Sequence, residues 1–384
     1  MAKPIGKRYA TFFMVLVCAT LGPLFATPRT ATTPFQIGFA SHLSAAQQPM
    51  WLFIYSLIFF GITYGASRKP AGIINSIGKI LNPAFLALLA IIFAIAFTSP
   101  ISQAANAPIT DAAYKNGSIL NGFLQGYNTM DCIAGLLFGI AIVTAIRSLG
   151  QTNAKDISMT TIKSGALGIG LEALIYIGLI WLGATSLGKF NLSIDGGIAF
   201  NQIANHFLGI TGEVILATMA TLTCLTTAVG LSTSFSEALH AKFPSISYRT
   251  WLLIATGLSF GIANFGLDTI IAWSTPMLMF LYPLAITLII LSIASPLFNH
   301  DRRVYIWTTI FTIIPAILDA IAAAPAIISK SAFATTILKL DNFLPGASLG
   351  MDWLLPAAIG LIIGLAIHFI SALMGARAAQ MEND

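Results

Sequence analysis

The segment Ser118–Leu149 decides the class of this protein, because Gly126-Tyr127-Asn128-Thr129-Met130-Asp131 breaks its apolar run. A carboxylate, an amide and a helix-weakening glycine stand where a membrane span is normally apolar throughout. Burying Asp131 in hydrocarbon is costly, so polar residues at this depth persist mainly where they line a protein cavity. The pattern is typical of a transporter, in which interrupted helices line the path of the transported molecule.

Composition supports this class. Hydrophobic residues make up 57% of the 384 residues and charged residues only 9%, and the mean hydropathy is +0.85. Because soluble domains contain about a quarter charged residues, the composition predicts an all-α, polytopic integral membrane helix bundle. The net charge of +5 comes from basic residues scattered singly between apolar runs, which does not indicate a nucleic-acid surface. The sequence also lacks a phosphate-binding loop with its lysine, so ATP-driven pumping is not expected.

Apolar windows of about 20 residues predict ten membrane spans within a single transmembrane domain over residues 1–384. They are 9–27, 48–66, 80–98, 119–146, 160–187, 211–235, 250–265, 269–293, 304–328 and 353–374. If both termini are cytoplasmic, fourteen of the nineteen lysines and arginines fall on the cytoplasmic side, as the positive-inside rule requires. The five that fall outside are Arg29, Lys115, Lys189, Lys330 and Lys339.

Four motifs carry a family resemblance. They are Gly22–Thr32 (GPLFATPRTAT), Gly122–Asp131 (GFLQGYNTMD), Thr226–Leu231 (TTAVGL) and Ser247–Arg249 (SYR). In this order they resemble the branched-chain amino acid:cation symporter family, also called transport system II carrier proteins. The resemblance implies a leucine-transporter-like inverted-repeat fold in the bacterial cytoplasmic (inner) membrane.

The resemblance also implies an activity. Such a carrier imports leucine, isoleucine and valine together with a monovalent cation, expected to be sodium, by alternating access. No cofactor, nucleic acid or obligate protein partner is expected beyond the lipid bilayer. The residues leave sodium and proton coupling open, and they leave the preference among the three amino acids open.

The chain departs from the family in one respect. Family members typically have twelve spans, and this chain resembles them only from the third span onward, which predicts an N-terminally truncated carrier. The break at Gly126–Asp131 is then expected to lack a partner break. An inactive or weakly active remnant, or a sensor, is therefore an alternative to an active importer.

The broken segment supplies the candidate substrate site. Gly126 lets the backbone open, and Tyr127, Asn128 and Thr129 offer hydroxyl and amide groups to a zwitterion. Asp131 is expected to serve the substrate ammonium group, a coupling cation or a freed backbone amide. The alternative reading is that Asp131 only caps the second half-helix, a position that aspartate favours.

Five further residues are candidates for cation binding, substrate binding or gating. By analogy with the superfamily, Thr226 and Thr227 are expected to give a sodium ion two hydroxyl oxygens at a helix end, or else only to allow close helix packing. Ser274 and Thr275 precede two prolines of one span, which predicts either substrate contact or a simple kink. Arg29 is predicted near the outer end of the first span, as a gate charge or a side chain that snorkels to the interface.

Other polar residues suggest alternatives. Glu172, Asp319 and His368 are ionisable residues within predicted spans, and His368 is predicted to be interfacial. Gly257-Leu258-Ser259-Phe260-Gly261 matches the G-x-S-x-G hydrolase pattern, which predicts an intramembrane serine hydrolase using Ser259 only if a base activates the serine. The same glycines, like the pairs 135/139 and 360/364, are helix-packing signals, so an enzyme is not the expected function.

Overall fold

The computed structural model describes residues 2–68, 73–109, 114–115, 118–193, 195–341, 344–347 and 350–381, and every regular element among them is helical. The α-helices are α1 (Lys7–Ala19), α2 (Ala26–Gly38), α3 (Gln48–Ser67), α4 (Ile73–Thr98), α5 (Ser118–Gln125), α6 (Asp131–Ser148), α7 (Ala154–Ser186), α8 (Gly196–Lys242), α9 (Tyr248–Ala263), α10 (Leu267–Ala294), α11 (Arg302–Ala322), α12 (Ala326–Ser329), α13 (Ala332–Asp341) and α14 (Leu354–Met381). The all-α prediction is therefore confirmed over the described residues.

Fewer than ten membrane spans are found among the described residues. Seven helical segments of the described residues are long and apolar enough to cross a membrane, and the bent helix α6 raises the number to eight. Each of the ten predicted segments contains a helix, but α9 has 16 residues and the apolar part of α4 covers only Asn82–Thr98. The chain is therefore a multi-pass membrane protein, and a count of ten spans stays a prediction.

The chain divides into two compact units, which are described separately below. One unit comprises Met1–Thr20, Ala113–Ala134 and Ile271–Asp384, and the other comprises Leu21–Ala112 and Gly135–Ile270. We call them the discontinuous unit and the central unit.

Helices α11 and α14 form the main packing contact of the discontinuous unit. A Cβ atom on Gly360 would lie 2.7 Å from the carbonyl oxygen of Trp307, and one on Gly364 would lie 2.7 Å from the Cα atom of Val304. The predicted packing role of this glycine pair is confirmed, because only glycine lets the two backbones approach so closely. At the pairs 257/261 and 135/139 no atom of the described residues lies within 4 Å of a Cβ placed there, so a packing role for these glycines stays a prediction.

Helices α2 and α8 form the main contact of the central unit, and α8 also packs against α3, α4 and α9. Ile37 of α2 and Leu216 and Ala220 of α8 belong to one buried apolar cluster, which also contains residues of α4. Thr27 and Thr30 of α2 are buried as well. Burial of their hydroxyl groups is tolerated because each donates a hydrogen bond to a backbone carbonyl. A helix with many threonines thus remains compatible with a membrane interior.

The first span contains a backbone break that the sequence reading missed. Between α1 and α2 the chain forms a π-helical turn, Thr20–Leu24, in which Gly22 leaves the helical region with φ −79° and ψ −119°. Pro23 has no backbone N–H, and the Phe235 ring lies where a side chain on Gly22 would stand. The described residues therefore contain a further interrupted span, and the expectation that the Gly126–Asp131 break lacks a partner break stays a prediction.

A further break lies inside α8, at Gly209. Its backbone angles, φ 62° and ψ −163°, fall in a region that is essentially accessible only to glycine. The predicted span 211–235 begins two residues after this break, whereas the helix itself runs from Gly196 to Lys242. The breaks at Gly22 and Gly209 thus add to the interruption at Gly126–Thr129.

Candidate transport site

The predicted opening of the chain at Gly126 is present. Helix α5 ends at Gln125, a 3₁₀ turn covers Gly126–Thr129, and Met130 adopts a left-handed conformation with φ 64° before α6 begins at Asp131. The Thr129 hydroxyl donates to the Gly126 carbonyl over 2.7 Å, which holds the turn closed on itself. Asp131 lies in the first turn of α6, where a carboxylate interacts favourably with the positive end of the helix dipole.

Tyr127 anchors this turn within the discontinuous unit. Its ring stacks on Tyr282 of α10, with ring centroids 4.1 Å apart and planes inclined by 13°. Both tyrosines are only 4% exposed. Their hydroxyl groups and the Trp353 indole nitrogen are buried and complete no hydrogen bond of standard geometry with the described residues.

These buried polar atoms distinguish the turn from ordinary helix packing. The Asp319 carboxylate acts electrostatically on the Tyr127 hydroxyl, and the Trp353 indole lies within reach of a hydrogen bond to it, so the polar groups share one neighbourhood. Because buried polar atoms normally find partners, such a group indicates a place for water or a polar ligand. The sequence reading found Tyr127 but missed Tyr282 and Trp353, whose distance along the chain hides their proximity.

Ser274 and Thr275 lie in α10, upstream of Tyr282. Their hydroxyl groups donate to the carbonyl of Ile271 over 3.0 and 2.9 Å. Helix α10 continues through Pro276 and Pro283. The hydroxyl hydrogens are therefore used inside the helix, whereas the oxygen lone pairs remain acceptors. A role for either residue in substrate binding stays a prediction.

Thr226 and Thr227 occupy the middle of α8, not a helix end as expected. Both hydroxyl groups donate to the Thr223 carbonyl, over 2.7 and 3.1 Å. The backbone carbonyls of this helical stretch are engaged in the helix, so a cation here would depend on side-chain oxygens. Thr223 adds a buried hydroxyl that makes no hydrogen bond with the described residues. The spacing i, i+3 and i+4 places all three on one helix face.

Arg29 does not lie at the end of the first span, which was the expectation. The helical segment Lys7–Gly38 extends nine residues past it. Arg29 is half-buried between buried Pro28 and Thr30 of α2. The polar residues that ended the apolar window belong to a helix that packs against α8. A role for Arg29 as a gate charge or as a snorkelling side chain stays a prediction.

A buried carboxylate that the sequence reading overlooked lies in the central unit. Glu213 of α8 is 3% exposed and accepts hydrogen bonds from Asn201 (2.9 Å), Asn205 (2.6 Å) and the Nε2 atom of His42 (2.5 Å). Asn201 also donates to the carbonyl of Ile37 at the end of α2. We call Glu213, His42, Asn201 and Asn205 the Glu213 cluster.

The Glu213 cluster borders a pocket of about 550 Å³. The pocket is lined by Gly38, Phe39, His42, Tyr55, Ile210, Glu213, Val214, Ala217, Thr218, Thr221 and Leu222. A mostly apolar wall with a few polar groups on one side is the usual composition of a small-molecule site. A polar series Asn201, Asn205 and Glu213 along one helix was the available sequence signal, but its partner His42 lies 171 residues away from Glu213.

The surroundings of His368 and Ser259 are described as well. His368 was predicted to be interfacial, and its Nδ1 atom lies 2.7 Å from the Oδ2 atom of Asp301, which precedes α11. Burial raises the pKa of Asp301, but the Arg303 backbone N–H and His368 outweigh burial and hold that pKa below its usual range.

Ser259 is fully buried in α9, and its hydroxyl has no hydrogen-bond partner among the described residues, so no base activates it there.

Comparison with known proteins places these features in a family. The sequence profile described as "Branched-chain amino acid transport protein" matches residues 1–371. The chain belongs to this family. The resemblance carried by the four motifs is thereby confirmed, and the chain is a transporter rather than an enzyme.

Several curated relatives of the family are similar to the chain. The branched-chain amino acid permease BrnQ of Lactobacillus delbrueckii subsp. lactis is 40% identical over 92% of this chain and 79% of its own length. The permease BraB of Bacillus subtilis is 37% identical, covering 94% and 79%. The branched-chain amino acid transport system 2 carrier protein of Pseudomonas aeruginosa is 33% identical, covering 95% and 80%. No solved structure matches the chain.

Proposed function

We propose that this chain imports branched-chain amino acids, namely leucine, isoleucine and valine, with sodium as the coupling cation. It works by alternating access in the cytoplasmic membrane of a bacterium, with both termini in the cytoplasm. The observation that carries the proposal is family membership over residues 1–371, together with relatives that are named as branched-chain amino acid permeases and carriers.

The interrupted helices support a transport mechanism. A helix break frees backbone amides at the start of one half-helix and carbonyls at the end of the other, and a zwitterion needs both kinds of group. The turn Gly126–Thr129 offers such ends beside the buried Tyr127 hydroxyl. We assign the substrate to this turn, with Asn128 and Asp131 as further polar contacts and with Ser274 and Thr275 on the neighbouring helix α10.

The threonine face of α8 supports the choice of sodium. Sodium is a hard cation that prefers several oxygen ligands, and three hydroxyl oxygens lie on one face at residues 223, 226 and 227. Each hydroxyl that donates to the Thr223 carbonyl keeps its lone pairs for a cation. Sodium bound there would favour the substrate-binding arrangement and so raise the affinity for substrate. Bound substrate would then raise the affinity for sodium by the same factor.

Replacing these hydroxyl groups is expected to weaken the binding of sodium and not the binding of substrate. We expect Thr226→Ala and Thr227→Ala each to raise the sodium concentration for half-maximal leucine uptake by about tenfold, the effect of losing one polar contact to a charged group. Uptake into proteoliposomes at varied sodium and saturating leucine measures it. Thr161→Ala is the matched control, because Thr161 makes the same kind of bond to its own helix in α7. An unchanged sodium dependence in both α8 variants would contradict the assignment.

A further inference from the structure

Asp352 is a fully buried carboxylate of the discontinuous unit. It lies two residues before α14, and it is 0% exposed. Both of its carboxylate oxygens are buried and make no hydrogen bond with the described residues. Buried polar atoms normally have partners, and burial costs most for a carboxylate whose charge is not compensated. The site of Asp352 therefore requires a partner that the described residues do not supply.

No described side chain supplies a positive charge to Asp352, because none forms an ion pair with it. Lys330 and Lys339 are the basic residues nearest to it along the chain, and both are exposed. A neutral carboxyl group would not resolve the problem, since its O–H would need an acceptor and neither oxygen has a partner. A bound cation resolves it, because the cation balances the charge and is coordinated by the oxygens.

The start of α14 favours the ionised form of Asp352. The helix begins two residues after Asp352, so the positive end of its dipole lies close to the carboxylate. The amide of Leu354 nevertheless donates to the carbonyl of Met351 over 3.2 Å, and Pro356 has no N–H to donate. The helix therefore attracts negative charge without giving Asp352 a hydrogen bond.

The segment 350–353 packs against the interrupted span. Gly350 adopts a left-handed conformation with φ 60°, and a Cβ atom there would lie 2.7 Å from the Cδ1 atom of Leu124 in α5. Trp353, at the other end of the segment, lies within reach of a hydrogen bond to the Tyr127 hydroxyl. Both ends of the segment thus contact the region in which the span opens.

A second acidic side chain, Asp319, lies in the same neighbourhood. It is 6% exposed and acts electrostatically on the Tyr127 hydroxyl. The close contacts of Gly360 and Gly364 with α11 set an antiparallel register, which brings the start of α14 beside the end of α11. Because Asp319 has an interaction partner of its own, Asp352 leaves one negative charge to be balanced. A monovalent cation balances it.

The position of Asp352 also limits the size of this cation. An apolar pocket of about 530 Å³ lies beside the segment, and Met351 and Trp353 are among its lining residues, whereas Asp352 is not. An amino acid in that pocket would therefore not bring its ammonium group to the carboxylate. A single metal ion is small enough to reach oxygens that are fully buried.

We propose that Asp352 binds a small monovalent metal cation, and that this ion holds the segment 350–353 against the interrupted span. The ion removes the uncompensated charge that opposes burial of the segment. It is separate from the sodium assigned to the threonine face of α8. Its binding does not require that the chain transports, because it concerns the stability of the discontinuous unit.

Thermal unfolding of the full-length chain in detergent tests the proposal. The melting temperature is measured in N-methylglucamine chloride and after its replacement by sodium or potassium chloride at constant ionic strength. The background carries Thr226→Ala and Thr227→Ala, which removes the sodium site of the proposed function. Asp352→Asn is added to this background because it keeps the shape and removes the charge. Asp301→Asn is the matched control, because Asp301 is a carboxylate of the same unit that has hydrogen-bond partners.

We expect sodium or potassium, at about ten times its Kd, to raise the melting temperature of the background by about 3 °C. The rise is kept in Asp301→Asn and lost in Asp352→Asn. In N-methylglucamine chloride Asp352→Asn is expected to melt at or above the temperature of the background, because it buries no charge.

Absence of the rise with both metal ions, or its survival in Asp352→Asn, would overturn the proposal. If Asp352→Asn does not fold, binding of radioactive sodium or rubidium, a potassium analogue, to the background decides, because one ion per chain supports the proposal and none overturns it. Loss of sodium-driven leucine uptake without loss of the rise would count against the proposed function alone.

Discussion

Replacing Tyr127 by alanine is expected to lower the free energy of unfolding by about 3–5 kcal/mol, the usual effect of removing a large buried aromatic side chain. Tyr127 is 4% exposed, and its ring stacks on Tyr282, so truncation leaves a cavity between the Gly126–Thr129 turn and α10. Thermal or denaturant unfolding of the purified protein in detergent measures the change. Phe333→Ala is the control, because Phe333 is 72% exposed and its loss leaves no cavity.

The conservative variant separates structure from substrate binding. Tyr127→Phe keeps the stacked ring and removes a hydroxyl that makes no standard hydrogen bond, so stability is expected to change by less than about 0.5 kcal/mol. If that hydroxyl contacts the substrate, leucine uptake falls and the KM rises. Tyr127→Phe with wild-type uptake would remove the hydroxyl from the substrate site and leave Tyr127 a packing role.

Gly209→Ala is expected to destabilise the protein by about 1–3 kcal/mol, because its backbone lies in a conformation that side chains do not tolerate. The strain relaxes by straightening α8, which moves Glu213 away from His42 and Asn201. The variant therefore loses stability, which thermal or denaturant unfolding of the purified protein measures.

Gly230→Ala is the matched control for Gly209. It lies in the same helix, it has helical backbone angles, and a Cβ atom there meets nothing within 4 Å. Because alanine is a better helix former than glycine, Gly230→Ala is expected to leave stability unchanged or to raise it. Equal stabilities of the two variants would show that the break at Gly209 is not required for the fold.

The sequence predicted those features that local residue chemistry determines. The apolar runs predicted a helical membrane protein, and the cluster of glycine, amide and carboxylate at Gly126–Asp131 predicted the turn that interrupts a span. Both signals act within a few residues, which is the range over which backbone preferences are set. The Gly360 and Gly364 pair was found for the same reason, since spacing along one helix defines its packing face.

The sequence failed where tertiary contacts compensate an unfavourable local pattern. The threonines of α2 ended the predicted first span too early, because their burial against α8 and their bonds to backbone carbonyls are not visible in a hydropathy window. Arg29 was placed near a span end as a consequence, whereas its helical segment continues to Gly38. Glu213 was overlooked because its compensating partner His42 lies far away in the chain, and the stack of Tyr127 on Tyr282 was missed for the same reason.

The central claim is that this chain imports branched-chain amino acids by using a sodium gradient. Its most direct test is leucine uptake into proteoliposomes containing this chain, with an inward sodium gradient and with the gradient collapsed by an ionophore. We predict accumulation above the external leucine concentration that depends on the gradient and is competed by isoleucine and valine. The absence of gradient-dependent accumulation by correctly inserted protein would contradict the claim.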